Sequence, residues 1–176
     1  LNNSGALGCG SIYWYFDPNY SSNVAGGTLP DITLAPVLIK PGATADIPDQ
    51  VTMMYSRESE RMMPTKINGF NKSASVVDVD GTDGFGVGDL ILLVGSSGCT
   101  LGKVTHVLGT AQKLQLNPGV DGKQNPPAWG SFPTNYNAND WITNLGNPTV
   151  RTYLVTATGK LGLIDSYFTT GAVGPP

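Results

Sequence analysis

Histidine occurs once in this chain, at His106, and three common catalytic signatures are missing: G-x-S-x-G, H-E-x-x-H, and a glycine-rich phosphate loop running into a helix. Without them the sequence nominates no serine-hydrolase elbow, no zinc-protease helix and no nucleotide cradle. His106 stands in an alternating stretch beside Thr105 and Val107, a setting for a hydrogen-bonded structural histidine rather than a general base. No carboxylate pair is marked out for glycosidase chemistry, so the reading is of a protein that is not an enzyme. Charge is scarce as well. Only 13% of residues are charged, and 10 Lys and Arg against 13 Asp and Glu leave a net charge of −3. No basic run offers a footprint for a nucleic-acid backbone or an anionic membrane surface. The longest aliphatic run, Leu90 to Val94, is far below the roughly 20 residues a membrane-spanning helix needs. Cysteine is limited to Cys9 and Cys99, which fit two free thiols or one disulfide, and only an oxidising compartment favours the second.

Glycine and proline, by contrast, are abundant, at 23 and 13 of 176 residues. With few charges available for the wet face of amphipathic helices, this composition predicts a single, mainly β domain: an antiparallel sheet with long irregular loops and little helix. The pattern is organised around Phe85 to Leu108. Leu90, Leu92 and Val94 fall on one side of an extended chain and Ile91 and Leu93 on the other, which predicts a strand buried on both faces. Gly95-Ser96-Ser97-Gly98 suits a tight reversal, and Cys99 to Leu108 then returns as the partner strand. Gln50 to Ser56 alternates as a half-buried strand. Ile67 to Phe70, Ala74 to Val79 and Lys113 to Asn117 read as short strands, and Thr149 to Thr158 turns at Gly159-Lys160 into Leu161 to Asp165 as a closing hairpin. Ile32 to Ile39, interrupted by Pro36, reads as an edge strand or an extended loop. Residues 1–30 read as a loop segment pinned by Tyr13 to Phe16, and residues 118–140 as a long structured loop rich in proline and aromatics.

Two stretches carry candidate binding chemistry. Asp78, Asp80 and Asp83, interleaved with glycine, have the look of a loop that turns carboxylates around a calcium ion. Their spacing is not that of an EF-hand and the closing glutamate is absent, while Asp-Gly pairs form turns without any metal. Trp129, Phe132 and Tyr136 offer aromatic faces for a ligand. Together with Tyr13 to Phe16 they motivate an alternative reading of the chain as an extracellular carbohydrate- or surface-binding β-module. No other cofactor is implied.

A further pattern emerges from four stretches taken in order. They are Leu7-Gly8-Cys9; Asp49 to Tyr55; Phe85 to Leu93 with Cys99 and Val104-Thr105; and a C-terminal set of Asn125-Pro126-Pro127, Asn144-Leu145-Gly146, Arg151-Thr152-Tyr153 and Leu161. The combination resembles the PilW-type minor pilins of bacterial type IV pili, and the related minor pseudopilins of type II secretion are close to it. The resemblance implies a β-rich head that follows a long hydrophobic N-terminal helix, the one part that would touch a membrane. The sequence lacks that helix, so it is expected to be a soluble middle portion of a pilin. The implied role is assembly. Such a protein primes the filament or sits at its tip, with other minor pilins, major pilins and a tip adhesin as partners, at the periplasmic face of the inner membrane and in the extracellular pilus. In that compartment Cys9 and Cys99 would pair, closing a loop of roughly 90 residues for about 4 kcal/mol in the chain-entropy model.

Overall fold

The computed structural model describes residues 9, 12–15, 27–29, 37–44, 46–56, 64–96, 98–119, 124–126, 135–156 and 158–167, with backbone alone for 27–29 and 165–167. Among these residues the chain is mainly β, with no α-helix and a single 3-10 turn at Gly109–Ala111. In chain order the strands are β1 (Ile12–Trp14), β2 (Gly27–Leu29), β3 (Val37–Lys40), β4 (Gln50–Ser56), β5 (Thr65–Asn71), β6 (Val76–Val79), β7 (Leu90–Gly95), β8 (Gly98–Lys103), β9 (His106–Leu108), β10 (Lys113–Gln115), β11 (Trp141–Gly146), β12 (Pro148–Val155) and β13 (Leu161–Tyr167). They form a nine-stranded sheet in the order β2-β1-β8-β7-β11-β5-β6-β10-β9 and a four-stranded sheet in the order β13-β12-β4-β3. Every pairing is antiparallel except β1 with β8, which is parallel.

The larger sheet curls until it meets itself. In its order β8 and β9 stand six strand spacings apart, roughly 29 Å if the sheet were flat. Yet only Val104 and Thr105 separate them in the chain, a reach of at most about 11 Å. The hydrogen bonds show how the two demands are met. The Val104 N–H donates to the Asp89 carbonyl at 2.9 Å and the Gly88 N–H donates to the Val104 carbonyl at 2.8 Å, which extends the β7–β8 ladder. One residue on, the Thr105 N–H points the other way and donates to the Gln115 carbonyl at 2.8 Å, which opens the β9–β10 ladder. Residues 98–108 are thus one extended segment that pairs with β7 along its first half and with β10 along its second. The strand expected from Cys99 to Leu108 is present, but two different neighbours share it. The circuit β8/β9-β7-β11-β5-β6-β10 closes into a six-stranded barrel, with β1 and β2 added beside the first half of the closing segment. A bulge between Ile67 and Gly69 helps β5 make the turn from β11 to β6.

Strand β7 is apolar on both sides because it has a core on both sides. Ile91 and Leu93 point into the barrel and pack with Ile67, Val77, Leu114 and Ile142, all fully buried. Leu90 and Leu92 point outward into a second cluster with Cys9, Ile12, Cys99, Leu101 and Leu145. The β7–β8 hairpin closes with Gly95 opposite Gly98. A Cβ on Gly95 would lie 3.1 Å from the Tyr136 ring and 3.0 Å from the Asp140 carboxylate, so only glycine allows that close approach.

The four-stranded sheet packs on the outside of this second cluster through Met54 of β4. Thr65 pairs with Ile142 in the barrel, and Ser56 pairs with Pro148 at the start of the smaller sheet. Strands β11 and β12 follow one another directly, so the chain passes from the barrel into the smaller sheet at Asn147.

Strands β1 and β11 depart from the sequence expectation. The aromatic segment Tyr13-Trp14-Tyr15 is tied to the core as expected, but as a strand paired to β8 rather than as a loop. Strand β11, Trp141–Gly146, has no counterpart in the sequence reading. Its polar Thr143, Asn144 and terminal glycine hide a strand that is almost wholly buried. The described residues between 118 and 140 contain no strand or helix, and the rest of the expected loop lies outside the described residues.

Candidate functional site

Three polar joints hold the barrel together, and each connects stretches far apart in sequence. The first is covalent: Cys9 and Cys99 form a disulfide with Cα atoms 5.8 Å apart, across 90 residues of chain and inside the second apolar cluster. It fixes the N-terminal segment to β8 beside the Ile12–Cys99 pairing of β1.

The second joint lies where β11 meets the turn before β7. A bulge at Asn144–Gly146 gives β11 one more residue than β7, and Gly146 takes the left-handed conformation, φ +60°, that the bulge requires. Asn144 is 1% exposed. Its Nδ2 donates to the Asp89 carboxylate and to the Gly84 carbonyl, both at 2.6 Å, and its Oδ1 accepts the Gly146 N–H at 2.7 Å. The same Asp89 oxygen accepts the Gly86 N–H at 2.7 Å. The carboxylate is thus enclosed by donors and pins residues 84–89 against the sheet.

The third joint is Asn125, whose side chain is fully buried. Its Oδ1 accepts the Lys103 N–H and its Nδ2 donates to the Lys103 carbonyl, both at 2.7 Å, while Nδ2 also reaches the Asn117 carbonyl at 3.2 Å. Lys103 is where the closing segment has left β1 and has not yet met β10. There the amide side chain stands in for a missing strand, and it ties β8 to the end of β10.

The residues nominated for binding fare differently. Asp78, Asp80 and Asp83 are not gathered around a common centre, and no group of three acidic, histidine or cysteine side chains suited to a metal ion occurs among the described residues. Asp78 instead faces Lys113 across the β6–β10 ladder at 2.9 Å, and the run that follows is a turn in which the Phe85 N–H donates to the Thr82 carbonyl at 3.1 Å. The stretch expected as a calcium loop is thus a strand end followed by a turn, with its first carboxylate in an ion pair. Trp129 and Phe132 lie outside the described residues. Tyr136 is a core residue rather than part of an aromatic platform. It is 6% exposed, packs edge-on against Phe70 at 5.5 Å, and donates its hydroxyl to Thr100 Oγ1 at 2.6 Å. Its ring is unavailable to stack on a sugar. His106 is exposed on β9 rather than held inside the structure.

The most open apolar surface among the described residues was not anticipated from sequence. In the smaller sheet the side chains that share Met54's parity face the barrel, and a Thr52–Thr152 hydroxyl pair at 2.9 Å lies among them. The opposite parity faces outward and carries apolar side chains on all four strands, with Arg151 and Thr149 of β12 among them. Register sets Ile39, Val51, Tyr153 and Leu163 in one row. Val37 and Met53 extend the surface on one side of that row, and Val155 and Leu161 on the other. Leu161 is 76% exposed, Ile39 59% and Leu163 52%. The Arg151 guanidinium, 5.7 Å from the centre of the Tyr55 ring, closes one end of the patch. Gln50 to Ser56 was legible as an alternating strand, but which of its faces lies open is set by the register with β3 and β12.

No helix among the described residues is long and apolar enough to cross a membrane, which leaves membrane-crossing by strands untouched. Comparison of the chain with protein-family models, curated proteins and solved structures finds no match.

Proposed function

We propose that the chain is the β-rich head of a PilW-type minor pilin and acts as an assembly component of a type IV pilus, or of the related type II secretion pseudopilus. One observation carries the reading: the stretches that resemble the family meet in space. Leu7-Gly8-Cys9 and Cys99 meet through the disulfide, Gly88-Asp89 and Asn144-Leu145-Gly146 through the Asp89–Asn144 hydrogen bond, and Asn125-Pro126 reaches the β8 end through Lys103. A buried disulfide also suits the periplasm and the cell exterior, where such an assembly would work. Within this reading the partners are other minor pilins, major pilins and a tip adhesin, and the head supplies contact surfaces rather than chemistry.

Affinity isolation of the native protein after mild crosslinking of intact cells tests it. Co-recovery of other pilin-type subunits is the expected result. Recovery of the protein free of any such subunit, from cells that are building pili, would sink the reading.

A further inference from the structure

From the outward face of the smaller sheet we infer that the chain forms a two-fold symmetric homodimer, with this face of one copy packed on the same face of another. The six most exposed apolar side chains on the face together present on the order of 500 Å² of apolar surface. That is at the upper end for the largest patch on a monomer, and close to the apolar share of the roughly 800 Å² that each partner contributes to a stable interface. The surface is a broad face of four strands rather than a cleft, so it suits another broad surface better than a small molecule. A copy of itself is such a surface. Sheet faces pack at about 10 Å with side chains interdigitating, and a face with one row apolar across every strand can do this with its own symmetry mate. Charge does not oppose the pairing. The net charge of the chain is only −3, and Arg151, in the row of Met53 and Val37, lies against Tyr55 and is paired in register with the oppositely charged residue Asp165 on β13. The inference is independent of the pilus reading, because it concerns the chain with itself.

Sedimentation equilibrium of the 176-residue chain at roughly 10–100 µM provides the test. The expected wild-type mass is twice the chain mass of 18.4 kDa. The double substitution Leu161→Lys with Leu163→Lys should raise the dimer dissociation constant at least ~30-fold, since these are two of the three most exposed apolar side chains of the face and would be buried in the contact. Ile39→Lys, on the other side of the same row, should do the same, so the test does not depend on one hairpin tolerating two lysines. Val87→Lys, at a position 67% exposed on a distant turn, should leave the dimer intact. A wild-type chain that stays monomeric throughout this range overturns the inference, including one that instead binds lipid vesicles or an added amphipathic helix. A dimer indifferent to both the hairpin and the Ile39 substitutions overturns it equally.

Discussion

Replacing Asn125 by alanine removes the side chain that seals the barrel where its closing segment changes partners. Three hydrogen bonds go with it, and the Lys103 N–H and carbonyl are left facing a space that no strand fills. The bond to Asn117 is long and counts for little. The two to Lys103 are short, and the amide that makes them is fully buried, so each orphaned backbone group costs about 1–3 kcal/mol. With a small term for the cavity, the loss should be about 3–5 kcal/mol, a large part of the 5–15 kcal/mol that holds a typical domain folded. For a chain of this size that corresponds to a fall in Tm of roughly 10 °C or more. Urea unfolding followed by tryptophan fluorescence, with Tm from circular dichroism, measures it. The Asn125→Asp variant separates the geometry from simple loss of volume. It keeps the acceptor for the Lys103 N–H but sets a carboxylate against two carbonyl oxygens, which would raise its pKa in the folded state above the unfolded value of about 3.9. Between those two values the folded state binds the extra proton. Stability of this variant should therefore fall as pH rises through the window and recover as pH drops below it. An alanine variant within about 1 kcal/mol of wild type, together with an aspartate variant insensitive to pH beyond the wild-type trend, would refute the account of Asn125 as a surrogate strand.

Four further outcomes follow from the same structure. Intact mass spectrometry should show a chain two hydrogens lighter than its reduced form, and Cys9→Ser should cost about 4–5 kcal/mol in urea unfolding, the chain-entropy value for a separation of 90 residues. Tyr136→Phe should lose about 1–2 kcal/mol through loss of the hydroxyl bond to Thr100, while glycan-array binding, if the protein shows any, stays unchanged. A double-mutant cycle on Asp89→Ala and Asn144→Ala should return a coupling of about 1–3 kcal/mol, and additive losses would mean the pair does not act as one joint. Hydrogen exchange should find the amides of β7 and β11 opening only with global unfolding and those of β3 and β13 opening at lower free energy, because the smaller sheet is covered on one face alone.

The local pattern of this sequence disclosed the strands that bury apolar side chains, and concealed the ones that join them. Leu90 to Val94 could be read as doubly buried because no polar side chain interrupts it, and the two clusters on its two sides bear that out. Trp141–Gly146 is just as buried, yet Thr143, Asn144 and a glycine gave no apolar period to read. Its polar groups are satisfied by residues some 55–60 positions away, and no local window reports such partners. The Asp78 to Gly84 run misled for a related reason. Carboxylates spaced for a metal in sequence are equally spaced for the two faces of a strand followed by a turn, and only the pairing of Asp78 with Lys113 decides between them. Tyr136 misled because a tyrosine among prolines reads as surface, whereas its hydroxyl has a buried acceptor on β8.

What the polar residues do inside the barrel bears on where the protein can make contacts. Cys9 is engaged in the second cluster through its disulfide, and Asp89, Asn125 and Asn144 are engaged with one another or with backbone. The barrel also has few free strand edges, because its closing segment pairs at both ends of its length. The smaller sheet is the opposite case. It is built from β4 and β12, with β3 and β13 flanking them, and one of its faces covers the second apolar cluster while the other has nothing from the described residues laid over it. Monomeric domains usually blunt such a face with charge. Here the row from Ile39 to Leu163 carries none, and that absence points to this face, rather than to any cleft or carboxylate cluster, as the place where the chain meets another protein surface.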